Sequence, residues 1–190
     1  MVLASCGFPV GDSSGGRGER ASLDMQQAAE RADAMLDATF EAIVPEVEWT
    51  HDTTTAGSCD VVRRRTVLTV ISDTRRGGFL GLVERNWKAK GYRITAVRPH
   101  KESPAVYAVS PDGFGIRLLF GYEGQAFFQV ATPCVQESKV AESKTPPNGP
   151  TYLPGQEIPA PNVRSPFWSA GTPAPPSVRP TSAAQPSPSS

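Results

Sequence analysis

The chain has 190 residues, enough for one domain of ordinary size with appendages, and 38% of them are hydrophobic. It contains no run of 18 apolar residues, so no segment reads as a membrane-spanning helix. Its 19 basic and 19 acidic side chains cancel formally but are unevenly placed: residues 22–48 hold seven acids and one base, and residues 49–135 hold twelve bases and seven acids. An acidic segment ahead of a basic body predicts that the two lie against each other, or that the body faces an anionic surface.

In chain order, residues 7–21 are small and polar without periodicity and read as a flexible tether. From Ser22 the apolar residues Met25, Ala28, Ala32, Met35, Leu36, Phe40 and Ile43 recur at helical spacing. The pattern predicts a helix over 23–44, capped by Ser22, favoured by Asp24 at its positive end and stopped by Pro45. Val47 and Trp49, then a β-branched run from Val61 to Ile71, predict two strands around a Gly57-Ser58 turn. A second helix over 75–90 follows, capped by Asp73 or Thr74, with Phe79, Leu80, Val83 and Trp87 on its apolar face and Gly91 at its end. Four further strands are expected at 92–98, 105–110, 114–122 and 125–132, with "PDGF" and "YEGQ" supplying turns. Clustered strands with two helices predict an α+β fold: a mainly antiparallel sheet of five or six strands, both helices packed on one face.

After Cys134 the composition changes. Residues 136–190 carry 13 of the 19 prolines and nine serines. Such a segment cannot bury enough surface of its own to offset the entropy of ordering it, and the expectation is a disordered tail. Its "SPFWSA" stretch, with Phe167 and Trp168, is the one apolar spot. The expected organisation is therefore a tether over 1–21, a folded domain over 22–135 and a tail over 136–190.

The three cysteines are Cys6, Cys59 and Cys134. In a cytosolic protein all three would be free thiols. In an exported one an odd count leaves one unpaired, and here Cys59 and Cys134 bracket the predicted sheet while Cys6 stands apart. A Cys59–Cys134 bridge would close a loop of about 75 residues and stabilise the fold by roughly 4 kcal/mol. Leu3-Ala4-Ser5-Cys6 resembles the bacterial lipobox, in which small residues precede a cysteine that becomes lipidated. The basic and apolar regions that precede a lipobox are not found within Met1 to Ser5. The body, through Glu48-Trp49, Cys59-Asp60, "WKAKGY" (Trp87 to Tyr92), "SPDGFGIRL" (Ser110 to Leu118) and "TPC" (Thr132 to Cys134), is similar to small secreted lipoproteins of actinobacteria. That resemblance implies a place in the cell envelope, attached to the outer face of the membrane through lipid on Cys6.

Chemistry is sparse. His51 and His100 have no metal-ligand spacing, a disulfide would remove the sulfur ligands, and neither a metal nor another cofactor is expected. No Gly-x-Ser-x-Gly elbow or Cys/His nucleophile pair stands out. The basic features are "VVRRRTVLTV", where a strand would put Arg63 and Arg65 on one face and Arg64 on the other, and Arg75 and Arg76 at the start of the second helix. Arg63, Arg65, Arg75 and Arg76 are the candidate anion-binding residues. No stacking aromatics interleave them, so nucleic acid is not the expected partner. The partners expected are the membrane and an envelope protein or anionic envelope polymer. The function that fits is a lipid-anchored extracytoplasmic binding or scaffolding domain; the alternative is a secreted enzyme or enzyme inhibitor with its own cleft.

Overall fold

The structure, a computed structural model, describes residues 23–153 and 155–171. Helix α1 (Met25–Phe40) is followed by strands β1 (Trp49–Ala56) and β2 (Val61–Val67), helix α2 (Asp73–Ala89), and strands β3 (Arg93–Arg98), β4 (Ala105–Val109), β5 (Gly115–Phe120) and β6 (Ala126–Ala131). All six strands form one sheet in the order β1-β2-β6-β5-β4-β3. Every neighbouring pair is antiparallel. The fold is α+β.

The first helix, Met25–Phe40, is shorter at both ends than the expected span of 23–44. Ser22 lies outside the described residues, and the cap is Asp24: its carboxylate accepts from Gln27 N at 2.8 Å, while Gln27 Oε1 accepts from Asp24 N at 3.0 Å. This reciprocal box satisfies two of the free donors at the helix start. The N-cap of α2 is Ser72, whose hydroxyl pairs with Thr74 Oγ1 instead of capping the helix. Strand β1 extends through His51 to Ala56, a polar stretch with no apolar alternation, because pairing with β2 fixes it. The turn closes with Gly57 N donating to Asp60 O at 2.8 Å.

Both helices cover the same face of the sheet. Phe128 on β6 meets Phe40 of α1 at 4.7 Å and Phe79 of α2 at 6.2 Å between ring centroids. A strand side chain points to one face only, so its two contacts place the helices together. The helices are also joined directly: Trp87 Nε1 donates to Thr39 Oγ1 at 3.0 Å, and that hydroxyl donates to Met35 O. Trp87, Phe79, Leu36 and Phe128 are wholly buried in the shared core.

The expectation of a tail without stable structure from residue 136 is corrected over the described part. Cys59 and Cys134 are joined by a disulfide, with Cα atoms 4.8 Å apart, and the segment after it runs as a strap around the body. It passes along α1, where Met25 N donates to Gln136 O at 2.9 Å. It then crosses the outer edge of β1, where Gly149 N donates to Trp49 O at 3.1 Å. It returns beside Leu68 to Val70, where Val70 N donates to Val163 O at 2.8 Å. Trp168 then enters the core at 3% exposure, 5.0 Å from Phe79, with Nε1 donating to Pro45 O at 2.6 Å. The composition argument fails here because the strap needs no core of its own. Several of its backbone groups bond to the body, among them those of Gln136, Ala141, Gly149 and Val163, and its prolines reduce the entropy lost on ordering.

Candidate functional site: the strap cleft and the arginines of β2

Strand β2 carries Arg63, Arg64 and Arg65 in succession, and alternation divides them between the two faces. Arg63 and Arg65 do share a face, but it is the buried one, at 2% and 1% exposure. They meet Asp33 and Asp37 of α1, with Arg63 Nε 3.2 Å from Asp33 Oδ2 and Arg65 paired to Asp37. The match is geometric. Four residues of helix advance about 6 Å and two residues of strand about 6.7 Å, so an i, i+4 pair of aspartates faces an i, i+2 pair of arginines. Arg65 also lies 4.0 Å from the Trp49 ring and 5.4 Å from Phe40. Burial pushes its pKa down, while the hydrogen bond and charge of Asp37 push it up.

The reading of Arg63 and Arg65 as anion-binding residues is corrected accordingly. A buried guanidinium requires a countercharge, and α1 supplies it. The opposite charge balances of the two segments were the signal in the sequence.

Arg75 and Arg76 are likewise engaged by the protein. Arg75 stacks 4.2 Å from the ring of Phe167. Arg76 pairs with Asp73 at 2.7 Å and lies 5.6 Å from the Phe120 ring. Gly124, at φ +75°, leaves the space that the Arg76 guanidinium fills; a Cβ there would collide with it. No open anion site forms between these two arginines and the described residues around them. His51 is on β1 and His100 follows β3, at opposite edges of the sheet, so the two histidines are not brought together. Cys6 lies outside the described residues.

The strap builds what the sequence reading missed. Ser143 Oγ donates to Asp33 Oδ1 at 2.5 Å, Thr145 Oγ1 donates to Asp37 Oδ2 at 2.9 Å, and Lys144 Nζ reaches Glu30 Oε1 at 2.7 Å. The same aspartates that neutralise β2 therefore hold the strap. Farther along, His51 Nε2 donates to Thr145 O at 2.7 Å, and Asn148 Oδ1 accepts from Trp49 N at 2.9 Å. Between this crossing and the next turn of the strap lies a cleft of about 410 Å³. His51, Asp52 and Thr53 of β1 form one wall, and Pro146, Tyr152 and Leu153 of the strap form the other. The cleft thus combines proline and aromatic walls with a few polar groups, the composition of sites that bind small or extended ligands.

No protein-family model matches this chain, and no curated protein matches it. Among solved structures, it is similar to a DUF4853 family protein from Actinomyces odontolyticus, with 13% identity and a TM-score of 0.40, over 75% of this chain and 80% of the other. The described residues include no helix long and apolar enough to cross a membrane.

Proposed function

We propose that this chain is an exported binding domain of the bacterial cell envelope, tethered to the outer face of the membrane through lipid on Cys6. The observation that carries the reading is the Cys59–Cys134 disulfide, which ties the β1–β2 turn to the root of the strap. Such bridges persist in oxidising compartments and are rare in the cytosol. Residues Cys59 and Cys134 account for two of the three cysteines, leaving Cys6 in its lipobox-like context as the one for modification. The cleft between β1 and the strap is the binding site in this reading. It forms only when the strap is in place, and the disulfide fixes the point from which the strap departs.

The test is made in a bacterial cell producing the chain behind a full signal. Thiol-alkylating reagent added before lysis should leave Cys59 and Cys134 unlabelled until reductant is supplied, and the protein should fractionate with membranes. Cys6→Ser should release it from the membrane without changing its melting temperature. Ready labelling of both cysteines without reductant would overturn the exported reading.

A further inference from the structure

The chemistry of the cleft between β1 and the strap follows from which of its groups are already in use. At Thr53 the backbone is closed to outside partners: its N–H donates to Asp52 Oδ1 at 2.6 Å, and its carbonyl accepts from Arg64 Nη1 at 2.7 Å. Lys144 is the only lysine or arginine in the described lining, and its Nζ is committed to Glu30 Oε1 at 2.7 Å. Arg64 faces Asp52 across the strands but stays outside the lining, its Nη1 held by Thr53 O and by Thr55 Oγ1. The His51 ring is bonded to Thr145 O.

The groups left unused are of another kind. The hydroxyls of Thr53, Thr151 and Tyr152 and the carboxylate of Glu142 line the cleft and have no hydrogen-bond partner among the described residues. Beside them stand Pro146, the half-buried Tyr152 ring and Leu153, which is 72% exposed. The carboxylates carry little free charge into the cleft. Both Asp52 oxygens already accept, from Thr53 N and from Thr66 Oγ1 at 3.2 Å, and Glu142 is exposed, where water and salt screen it. Unpaired hydroxyls beside small apolar surfaces are what a ligand would meet.

We infer that the strap cleft binds a neutral glycan, with one pyranose face laid against Tyr152 and its hydroxyls bonded to Thr53, Thr151 and Glu142. The inference rests on the reading of the cleft as the binding site and names its ligand class. A pyranose is apolar on its ring faces and carries donors and acceptors around its rim. It can therefore bury apolar area while meeting hydroxyls that both donate and accept. An acyl chain would cover the same hydroxyls and carboxylate without a bond, at a cost for each. An anionic polymer would meet Asp52 and Glu142 with no unpaired lysine or arginine in the described lining to offset them. A peptide adding as a strand to β1 is turned away at Thr53, whose backbone groups are both taken.

The test places the purified full chain on an array of neutral and acidic oligosaccharides, with oligolysine as a further probe. Neutral glycans should be retained, with an affinity that does not fall as salt rises, since no counterions are exchanged. Tyr152→Ala should weaken binding about threefold to tenfold, and Thr151→Val and Glu142→Ala about fivefold each. These side chains make no hydrogen bond to the described residues, so folding is not at stake; a melting curve for each variant establishes this. Lys90→Gln, at the end of α2, should change nothing. Retention of no neutral glycan, or of acidic ones only, would overturn the inference, whereas the exported reading stands or falls separately on the cysteine labelling. Capture of oligolysine that is lost in Tyr152→Ala would keep the cleft as a binding site and overturn a glycan as its ligand. Glycan binding untouched by all three cleft variants would overturn the cleft as the site.

Discussion

Asp33 and Asp37 each face two ways, toward an arginine of β2 and toward a hydroxyl of the strap. Removing one partner of a buried pair leaves an uncompensated charge, which costs far more than the pair contributes over an apolar replacement. Asp33→Ala should therefore destabilise the protein by about 3 kcal/mol, measured by urea unfolding. Asp33→Leu combined with Arg63→Met should restore most of that stability, and a double variant as weak as the single one would contradict the account. A different residue sets a pH dependence. Partial burial pushes the Asp112 carboxyl up, but hydrogen bonds from Ser110 Oγ and from its own backbone N–H, together with Arg31, outweigh this and hold it below the ordinary value of 3.8. A depressed folded-state pKa stabilises the fold above the unfolded value, and that contribution fades as pH falls through the folded one. Asp112→Asn should lower the melting temperature at neutral pH, and the gap to the parent protein should close as pH falls through the depressed folded-state value.

At the scale of elements, the strap behaves as part of the fold. Gly149 shows how closely it is seated: a Cβ there would come within 2.9 Å of both Trp49 O and the Leu68 side chain. Gly149→Ala should loosen the crossing at β1 and destabilise by about 1–3 kcal/mol. Limited proteolysis should spare the region from 136 to 171, with Trp168→Ala opening it to cleavage; a resistant fragment ending near residue 135 would count against the strap. Most of the elements were legible in the sequence because each depends on local signals. Apolar spacing marks α1, glycine and aspartate turns delimit β4 to β6, and β-branched residues mark β2. The strap was not legible, since its order comes from partners more than 90 residues away, such as Asn148 on Trp49 and Trp168 on Pro45. The arginines were half legible. Alternation sorted Arg63 and Arg65 from Arg64, but only the placement of α1 decided which side of the sheet would be buried.

For the whole molecule, the disulfide closes a separation of 75 residues between the β1–β2 turn and the start of the strap. In the chain-entropy view it contributes about 4 kcal/mol. Reduction should lower the melting temperature and should also loosen the strap, because its anchored end is then held only by non-covalent contacts such as the Lys144–Glu30 pair and the packing of Val140; hydrogen exchange at Gln136 to Thr145 reads this directly. The crossing at β1 has another consequence, for self-association. An open six-stranded sheet has two borders, and an unguarded border invites a strand from another copy. At one border the strap occupies Trp49 through Asn148 and Gly149. At the other, β3 is interrupted between Ile94 and Ala96 and flanked by Arg93 and Arg98. A domain guarded in this way can be packed densely beside its own copies without their sheets fusing into fibrils.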